Sequence, residues 1–230
     1  PPRISRWSGS DTFLGSVDFE SNSFSSPIDL TFSEGLDLLA LFYRSTEISR
    51  FNRRLTPLSP LIPNTESDPL ELLSLCGSTD GTMYALNWND DNIWQINRDA
   101  SAFPIKHLAT KSQKPTKIRY CKSLDLLAVL GNDNIAITDR FGSLISHKVL
   151  DANLNPHQIV IHNKEIWIVG DWVECLTLPT LQNFCTIEKE SLKSWGVYPP
   201  IDLMIDGNET MYILPEHGNF IQKIKMKYNR

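Results

Sequence analysis

Pro27-Ile28-Asp29-Leu30 occurs a second time, unchanged, as Pro200-Ile201-Asp202-Leu203 in a chain of 230 residues. Three further prolines fall between the two copies, and successive members of the set are separated by 42, 46, 41 and 44 residues. The set is Pro27, Pro69, Pro115, Pro156 and Pro200. Each proline opens the same pattern, in which any residue is followed by a polar residue and then by leucine or isoleucine. A regular interval of this size indicates a repeat architecture.

Each repeat continues with short apolar runs separated by turn residues. In the second repeat Asp80-Gly81 precedes the run Thr82–Leu86, and in the fifth repeat Asp206-Gly207 stands before the run Thr210–Leu214. Branched and aromatic runs with turn signals every 8 to 12 residues or so are typical of β-strands. A proline is tolerated at the first position of a strand because its missing N–H falls outside the ladder.

Four short antiparallel strands in about 43 residues is the spacing of a β-propeller blade. The sequence therefore predicts an all-β propeller of about five four-stranded blades in a single domain, residues 1–230. The blades are predicted near residues 27–65, 69–110, 115–151, 156–190 and 200–228. The fifth repeat shows no fourth strand, so we expect the N-terminal segment 12–20 to close the last blade. Five repeats fit a compact ring of five blades, and they also fit a piece of a larger propeller.

Several motifs resemble known propeller families. The repeat opening Pro-x-x-Ile/Leu, the Asp-Gly before a strand with tyrosine, and the third strand Asn92–Asn97 resemble NHL repeats. Ile137-Thr138-Asp139, followed by Gly142, is similar to the end of the third strand in WD40 repeats, although the Trp-Asp pair of that family is missing. The resemblance spans nearly the whole chain and implies a propeller fold.

Composition limits the classes of partner. The formal charge of −5 and the pI near 5.5 give no basic field, so nucleic acid is not expected as a partner. The exception is a basic strand face at Lys223, Lys225 and Lys227. No apolar run is long enough to cross a membrane, and no cofactor motif is present. An intracellular location is favoured, and a processed or secreted form stays open because the chain begins with Pro1 rather than Met.

The cysteines and histidines do not have the spacing of metal ligands, so no metal site is predicted. The four cysteines are expected to be free thiols, with a Cys175–Cys185 disulfide left open for an oxidising compartment. The five histidines are interpreted as isolated structural or surface residues. They are His107, His147, His157, His162 and His217.

The polar residue at the third position of each repeat is predicted to lie at one mouth of the propeller channel. These residues are Asp29, Glu71, Lys117, Gln158 and Asp202. In one interpretation, these five side chains are exposed to solvent at the mouth and have no chemical role. The alternative is a carbohydrate-active or carbohydrate-binding propeller, in which Asp29, Glu71 and Asp202 act as acid and base in glycoside hydrolysis.

The loops that enter the first strand and join the second to the third are rich in acidic and aromatic residues. Such side chains form hot spots in protein interfaces. We therefore expect a non-catalytic recognition module or scaffold subunit that binds a protein partner in a larger assembly. The predicted binding rim comprises Asp90, Asp91, Asp133, Asp171, Trp172, Trp195, Tyr198 and His217. The alternative for Trp172 and Trp195 is that either side chain packs between blades instead of binding a partner.

Overall fold

A computed structural model describes residues 3–7, 12–19, 27–43, 45–66, 68–90, 92–107, 115–218 and 220–226. The described residues form 21 strands and one short helix, so the all-β prediction is confirmed. The chain divides into two compact units, Pro1–Leu108 and Ala109–Arg230. We call them the N-terminal and the C-terminal unit. The assignment of one domain stays a prediction.

The N-terminal unit contains a two-stranded hairpin and two four-stranded antiparallel blades. The hairpin consists of β1 (Arg3–Trp7) and β2 (Phe13–Asp18). The first blade consists of β3 (Pro27–Phe32), β4 (Leu38–Phe42), β5 (Ile48–Phe51) and β6 (Pro57–Leu61). The second blade consists of β7 (Leu72–Gly77), β8 (Met83–Asn87), β9 (Asn92–Ile96) and β10 (Ala102–His107).

The C-terminal unit contains three antiparallel blades. The third blade consists of β11 (Lys117–Cys121), β12 (Leu126–Leu130), β13 (Asn134–Asp139) and β14 (Leu144–Val149). The fourth consists of β15 (Gln158–His162), β16 (Glu165–Val169), β17 (Val173–Thr177) and β18 (Asn183–Ile187). Helix α1 (Lys189–Ser194) leads to the fifth, which consists of β19 (Pro200–Ile205), β20 (Thr210–Pro215) and β21 (Gln222–Lys225).

Within each unit, successive blades pack face to face, and their first strands lie side by side. Strand β3 contacts β7, and β15 contacts both β11 and β19. The second strands β4, β8 and β12 are buried at every position. A strand that is covered on both faces has a continuous apolar sequence rather than an alternating one, and these segments are apolar apart from Asn87 at the end of β8 and the hydroxyl of Tyr84. Each such side chain contributes about 1.5–3 kcal/mol when fully buried.

The third position of the repeat motif has a structural role that the sequence argument did not foresee. Asp29 Oδ1 accepts the Leu30 N–H at 3.1 Å, and Asp202 Oδ1 accepts the Leu203 N–H at 2.8 Å. Gln158 Oε1 accepts the following N–H in the same way, at 3.0 Å. In the first and fifth blades, the strand pairing is irregular between the proline and the aspartate. The polar side chain thus satisfies a backbone donor beside a β-bulge.

One detail of the predicted fold is wrong, namely the strand that closes the last blade. Strand β2 pairs with β1, with Arg3 opposite Asp18, and the fifth blade has three strands among the described residues. A hairpin closes a short loop at little entropic cost, which favours this local partner. Phe19 then packs with its ring centroid 4.9 Å from that of Phe42 in the first blade. The sequence argument did not recognise Arg3–Trp7 as a strand.

Candidate functional site

The three acids of the predicted channel mouth have different environments. In the N-terminal unit, Asp29 is buried and its Oδ2 accepts the Ser74 hydroxyl at 2.6 Å and the Leu75 N–H at 3.0 Å. This carboxylate therefore joins strand β3 to strand β7. Glu71 is half-buried just before β7, and in the C-terminal unit Asp202 is exposed at the start of β19. Asp29 is occupied by structural hydrogen bonds rather than presented to a substrate.

Of the two predicted rim residues in the N-terminal unit, Asp90 closes the turn between β8 and β9. Its carboxylate accepts hydrogen bonds from Asn87 Nδ2 at 2.9 Å and from Trp94 Nε1 at 3.1 Å. Asp91 lies outside the described residues. Asp90 therefore fixes a turn and anchors a buried indole.

The six predicted rim residues of the C-terminal unit lie in different environments. Trp172 is half-buried and packs against the apolar clusters on both faces of the fourth blade, as the interblade alternative predicted. Asp133 accepts a hydrogen bond from Asn134 Nδ2 at 2.7 Å. Trp195 and His217 are exposed. Asp171 and Tyr198 belong to a cluster of polar side chains at one end of the fourth and fifth blades.

The loop that enters the fourth blade is tied closely to the turn between β16 and β17. The Asp171 N–H donates to Leu154 O at 2.6 Å, and the His157 N–H donates to Val169 O at 3.0 Å. A Cβ atom on Gly170 would lie 2.0 Å from Leu154 O, which is backbone and cannot move aside. Glycine at this position therefore allows the two loops to approach each other.

We expect Gly170→Ala to destabilise the protein by about 1–3 kcal/mol, the usual cost of overpacking. The added methyl group must push the entrance loop away from the β16–β17 turn. Urea unfolding would measure the change. Gly207→Ala is the matched control, because a Cβ there meets nothing within 4 Å. An equal effect of the two substitutions would contradict this account of the loop approach.

His157 is exposed at the end of the entrance loop, and its hydrogen bond defines its tautomer. Its Nδ1 lies 3.2 Å from Asn155 O. A backbone carbonyl only accepts hydrogen bonds, so in the neutral imidazole this contact requires the proton on Nδ1 and leaves the lone pair on Nε2. Asn155 Nδ2 in turn lies 3.4 Å from Asp171 Oδ2. The imidazole is thus oriented with a basic nitrogen available.

A cation completes the cluster from helix α1. A hydrogen bond to Tyr198 raises the pKa of Lys189, and the carboxylates of Asp171 and Glu190 add to this effect. Lys189 Nζ lies 4.8 Å from the centroid of the Tyr198 ring, and Lys193 Nζ lies 5.3 Å from it. We call Asn155, His157, Asp171, Lys189 and Tyr198 the rim cluster. Contacts through Asn155 and Asp171 connect an imidazole, an amine of raised pKa and a phenol within one unit.

A cleft of about 470 Å³ in the N-terminal unit is a weaker candidate. Arg50 and Arg98 line it, and each guanidinium is paired with a carboxylate. Arg50 Nη2 lies 3.1 Å from Asp37 Oδ2, and Arg98 contacts Glu34. The described residues that line the cleft include no histidine or lysine, and thus no side chain that would serve readily as a base near neutral pH.

The basic strand face is partly described. Lys223 and Lys225 are exposed on β21, with Lys223 Nζ 5.4 Å from the Tyr212 ring centroid and Lys225 Nζ donating to Asn208 O. Lys227 lies outside the described residues. Within the described part of the chain, no three histidine, cysteine or acidic side chains are grouped as metal ligands, and no helix has the length and hydropathy to cross a membrane.

No known protein family and no curated protein matches this sequence. Solved structures do match. The chain resembles β-propeller lyases. A streptogramin B lyase superposes with a TM-score of 0.69 at 15% identity, over 99% of this chain and 77% of that one. A catalytically inactive histidine-to-alanine variant of virginiamycin B lyase from Staphylococcus aureus, with quinupristin, has a TM-score of 0.66 at 15% identity, over 92% and 69%.

A protein of unknown function from Bacteroides caccae also matches, with a TM-score of 0.64 at 10% identity over 92% of this chain and 81% of that one. Likeness at this level of identity establishes the fold, and the predicted resemblance to propeller proteins is confirmed. The chain is a β-propeller of five blades.

The predicted function is wrong. We expected a non-catalytic recognition module or scaffold because the acidic and aromatic residues of the loops are typical of protein interfaces. Two of the solved structures that this chain resembles are lyases, which does not support a non-catalytic interpretation of the fold. The glycoside hydrolase alternative is also not supported, because the matched enzymes are not of that class.

Three members of the rim cluster, Asn155, His157 and Lys189, were not predicted as site residues. His157 was interpreted as an isolated histidine, although it directly follows Pro156 in the fourth copy of the repeat motif. This position, at the entrance to a first strand, was the signal in the sequence that indicated a site residue. Lys189 lies in a six-residue helix that no periodicity in the sequence indicates, and its partner Tyr198 is nine residues away.

Proposed function

We propose that this chain is a lyase and that the rim cluster of its C-terminal unit is the active site. The observation that carries the proposal is the hydrogen bond from His157 Nδ1 to Asn155 O, because it leaves Nε2 as an exposed base. The likeness to streptogramin and virginiamycin B lyases supports this class of reaction. The loss of activity on removing a histidine from one of them supports an essential imidazole.

The cluster suits an elimination beside a carbonyl group. His157 Nε2 would remove the proton from the carbon next to the carbonyl, and the electron pair would move onto the carbonyl oxygen. Lys189, a cation at neutral pH, would stabilise the resulting oxyanion. The electrons would then form a carbon–carbon double bond as the bond to the leaving oxygen breaks. The proton held by His157 would pass to that oxygen, so no water is consumed.

The test is turnover with product analysis. The purified chain would be incubated with virginiamycin B, with quinupristin, and with carbonyl compounds that carry an oxygen leaving group on the β-carbon. Elimination gives products whose summed mass equals that of the substrate, together with ultraviolet absorbance from a conjugated double bond. A product heavier by one water would contradict the proposal. Failure to react with every compound, without deuterium uptake at the α-carbon in D2O, would also contradict it.

Lys189 gives the reaction a pH dependence of known sign. Its raised pKa keeps the amine protonated through neutral pH, so the contribution of Lys189 to the rate should be lost only as the pH rises through that pKa. Lys189→Met should lower kcat about 10²-fold and remove this alkaline decline. Lys193→Met is the matched control, because that amine also lies over the Tyr198 ring. Equal losses of kcat in both variants would indicate that the local positive charge, and not the position of Lys189, contributes to the reaction.

A further inference from the structure

Two cysteines face each other across the outer strands of the fourth blade. Cys175 on β17 is directly opposite Cys185 on β18, and both are free thiols. The strand register shifts between Cys175 and Leu176, and the two cysteines are paired at the position just before this irregularity. Opposed residues in antiparallel strands have Cα atoms about 4.5–5.5 Å apart, which lies within the range of about 4.4–6.8 Å found for disulfides.

The two thiols differ in exposure and acidity. Cys175 is fully buried, whereas Cys185 is half-buried. A hydrogen bond from Cys175 lowers the pKa of Cys185, and the same contact together with burial raises the pKa of Cys175. The thiolate form is the nucleophile in cysteine chemistry. Cys185 is therefore the thiol that reacts first with an oxidant, and Cys175 lies beside it as the second thiol.

We propose that Cys175 and Cys185 form a reversible disulfide when the protein meets a peroxide. The Cys185 thiolate attacks one peroxide oxygen and becomes a sulfenic acid, as the other oxygen leaves as water after protonation. The Cys175 thiol then displaces the sulfenic hydroxyl, which leaves as a second water. In total, two thiols and one hydrogen peroxide give one disulfide and two waters. A dithiol reductant reverses the change by thiol–disulfide exchange.

The other two cysteines lack this arrangement. Cys76 is opposite Tyr84 in the second blade, and Cys121 is opposite Leu126 in the third. Both are buried. They therefore serve as internal references for reactivity in the same molecule.

A disulfide at this place would restrain the outer strand just before helix α1. Strand β18 ends at Ile187, and α1 begins at Lys189. Cys185 packs against the same apolar cluster as Leu192 of α1. The inference does not depend on the proposed lyase activity, because it concerns a bond between two side chains and is measured by mass.

The experiment uses the full reduced chain under native conditions, treated with hydrogen peroxide and then with iodoacetamide. The expected product has lost two hydrogens, takes up two carbamidomethyl groups rather than four once unfolded, and yields a peptide that links Cys175 to Cys185. Dithiothreitol should restore four thiols. Cys185→Ser should abolish the link, and Cys121→Ser should retain it.

Three outcomes would overturn the proposal. The first is oxidation of Cys185 to sulfinic acid while Cys175 remains a thiol. The second is a linked peptide that forms only in denaturant. The third is uniform oxidation of all four cysteines. Peptide mapping of the unsubstituted chain distinguishes these outcomes even if the Cys185→Ser variant does not fold.

Discussion

His157→Gln is expected to lower kcat at least about 10²-fold, the contribution usual for a positioned general base. Glutamine keeps a polar side chain that can still hydrogen-bond to Asn155 O, but it has no nitrogen that accepts a proton at neutral pH. KM should change little, because the base acts on the transition state rather than on substrate binding. Steady-state kinetics on a substrate found by product analysis would measure both parameters.

His147→Gln is the matched control for this substitution. His147 is exposed on β14 in the same unit, outside the rim cluster, so its loss should leave kcat unchanged. Thermal unfolding of both variants should match the unsubstituted protein, since both histidines are on the surface. A rise in KM with unchanged kcat in His157→Gln would identify a binding residue, and the proposed role as base would be wrong.

Asp29→Ala is expected to lower the free energy of unfolding by about 2–4 kcal/mol. The substitution removes the acceptor for the Ser74 hydroxyl and the Leu75 N–H, both of which Asp29 joins across the first two blades. Ser74 and Leu75 are themselves buried, so water cannot readily replace the carboxylate. Urea unfolding would give the change in free energy.

Asp202→Ala provides the comparison for Asp29→Ala because the two aspartates occupy the same position in identical four-residue motifs. Asp202 is exposed and accepts the Leu203 N–H, so its replacement should cost about 1 kcal/mol, which is less than the cost at Asp29. A double-mutant cycle with Ser74→Ala should show coupling, since Ser74 Oγ and Asp29 Oδ2 are 2.6 Å apart. Equal losses in the free energy of unfolding at Asp29 and Asp202 would show that the motif itself, and not the contact between blades, determines stability.

The blades could be predicted from the sequence because their signals are local. Prolines such as Pro27 and Pro200 open strands, and turn pairs such as Asp80-Gly81 separate them, within a few residues of one another. The partner of β2 could not be predicted in this way. That strand pairs with β1, and Phe19 just after it packs beside Phe42, a contact that only three-dimensional packing reveals.

The site was only partly predictable for a similar reason. Asp171 and Tyr198 were selected because polar and aromatic residues in propeller loops suggest binding, and both lie in the rim cluster. Asp29 was selected by its place in the motif, but its burial and its bonds to β7 depend on a neighbouring blade. The basic nitrogen of His157 depends on a contact with Asn155 O that leaves no pattern in the sequence.

The irregular pairing at the start of the first and fifth blades leaves the second residue of the motif, Ile28 or Ile201, out of the strand register. In the fourth blade the corresponding residue is His157, which precedes the first paired residue, Gln158. The side chain at this position differs between these blades, isoleucine in the first and fifth and histidine in the fourth, while the strand pairing that follows it is kept. A repeated scaffold could acquire new chemistry one blade at a time, while its prolines and capping side chains stay as they are.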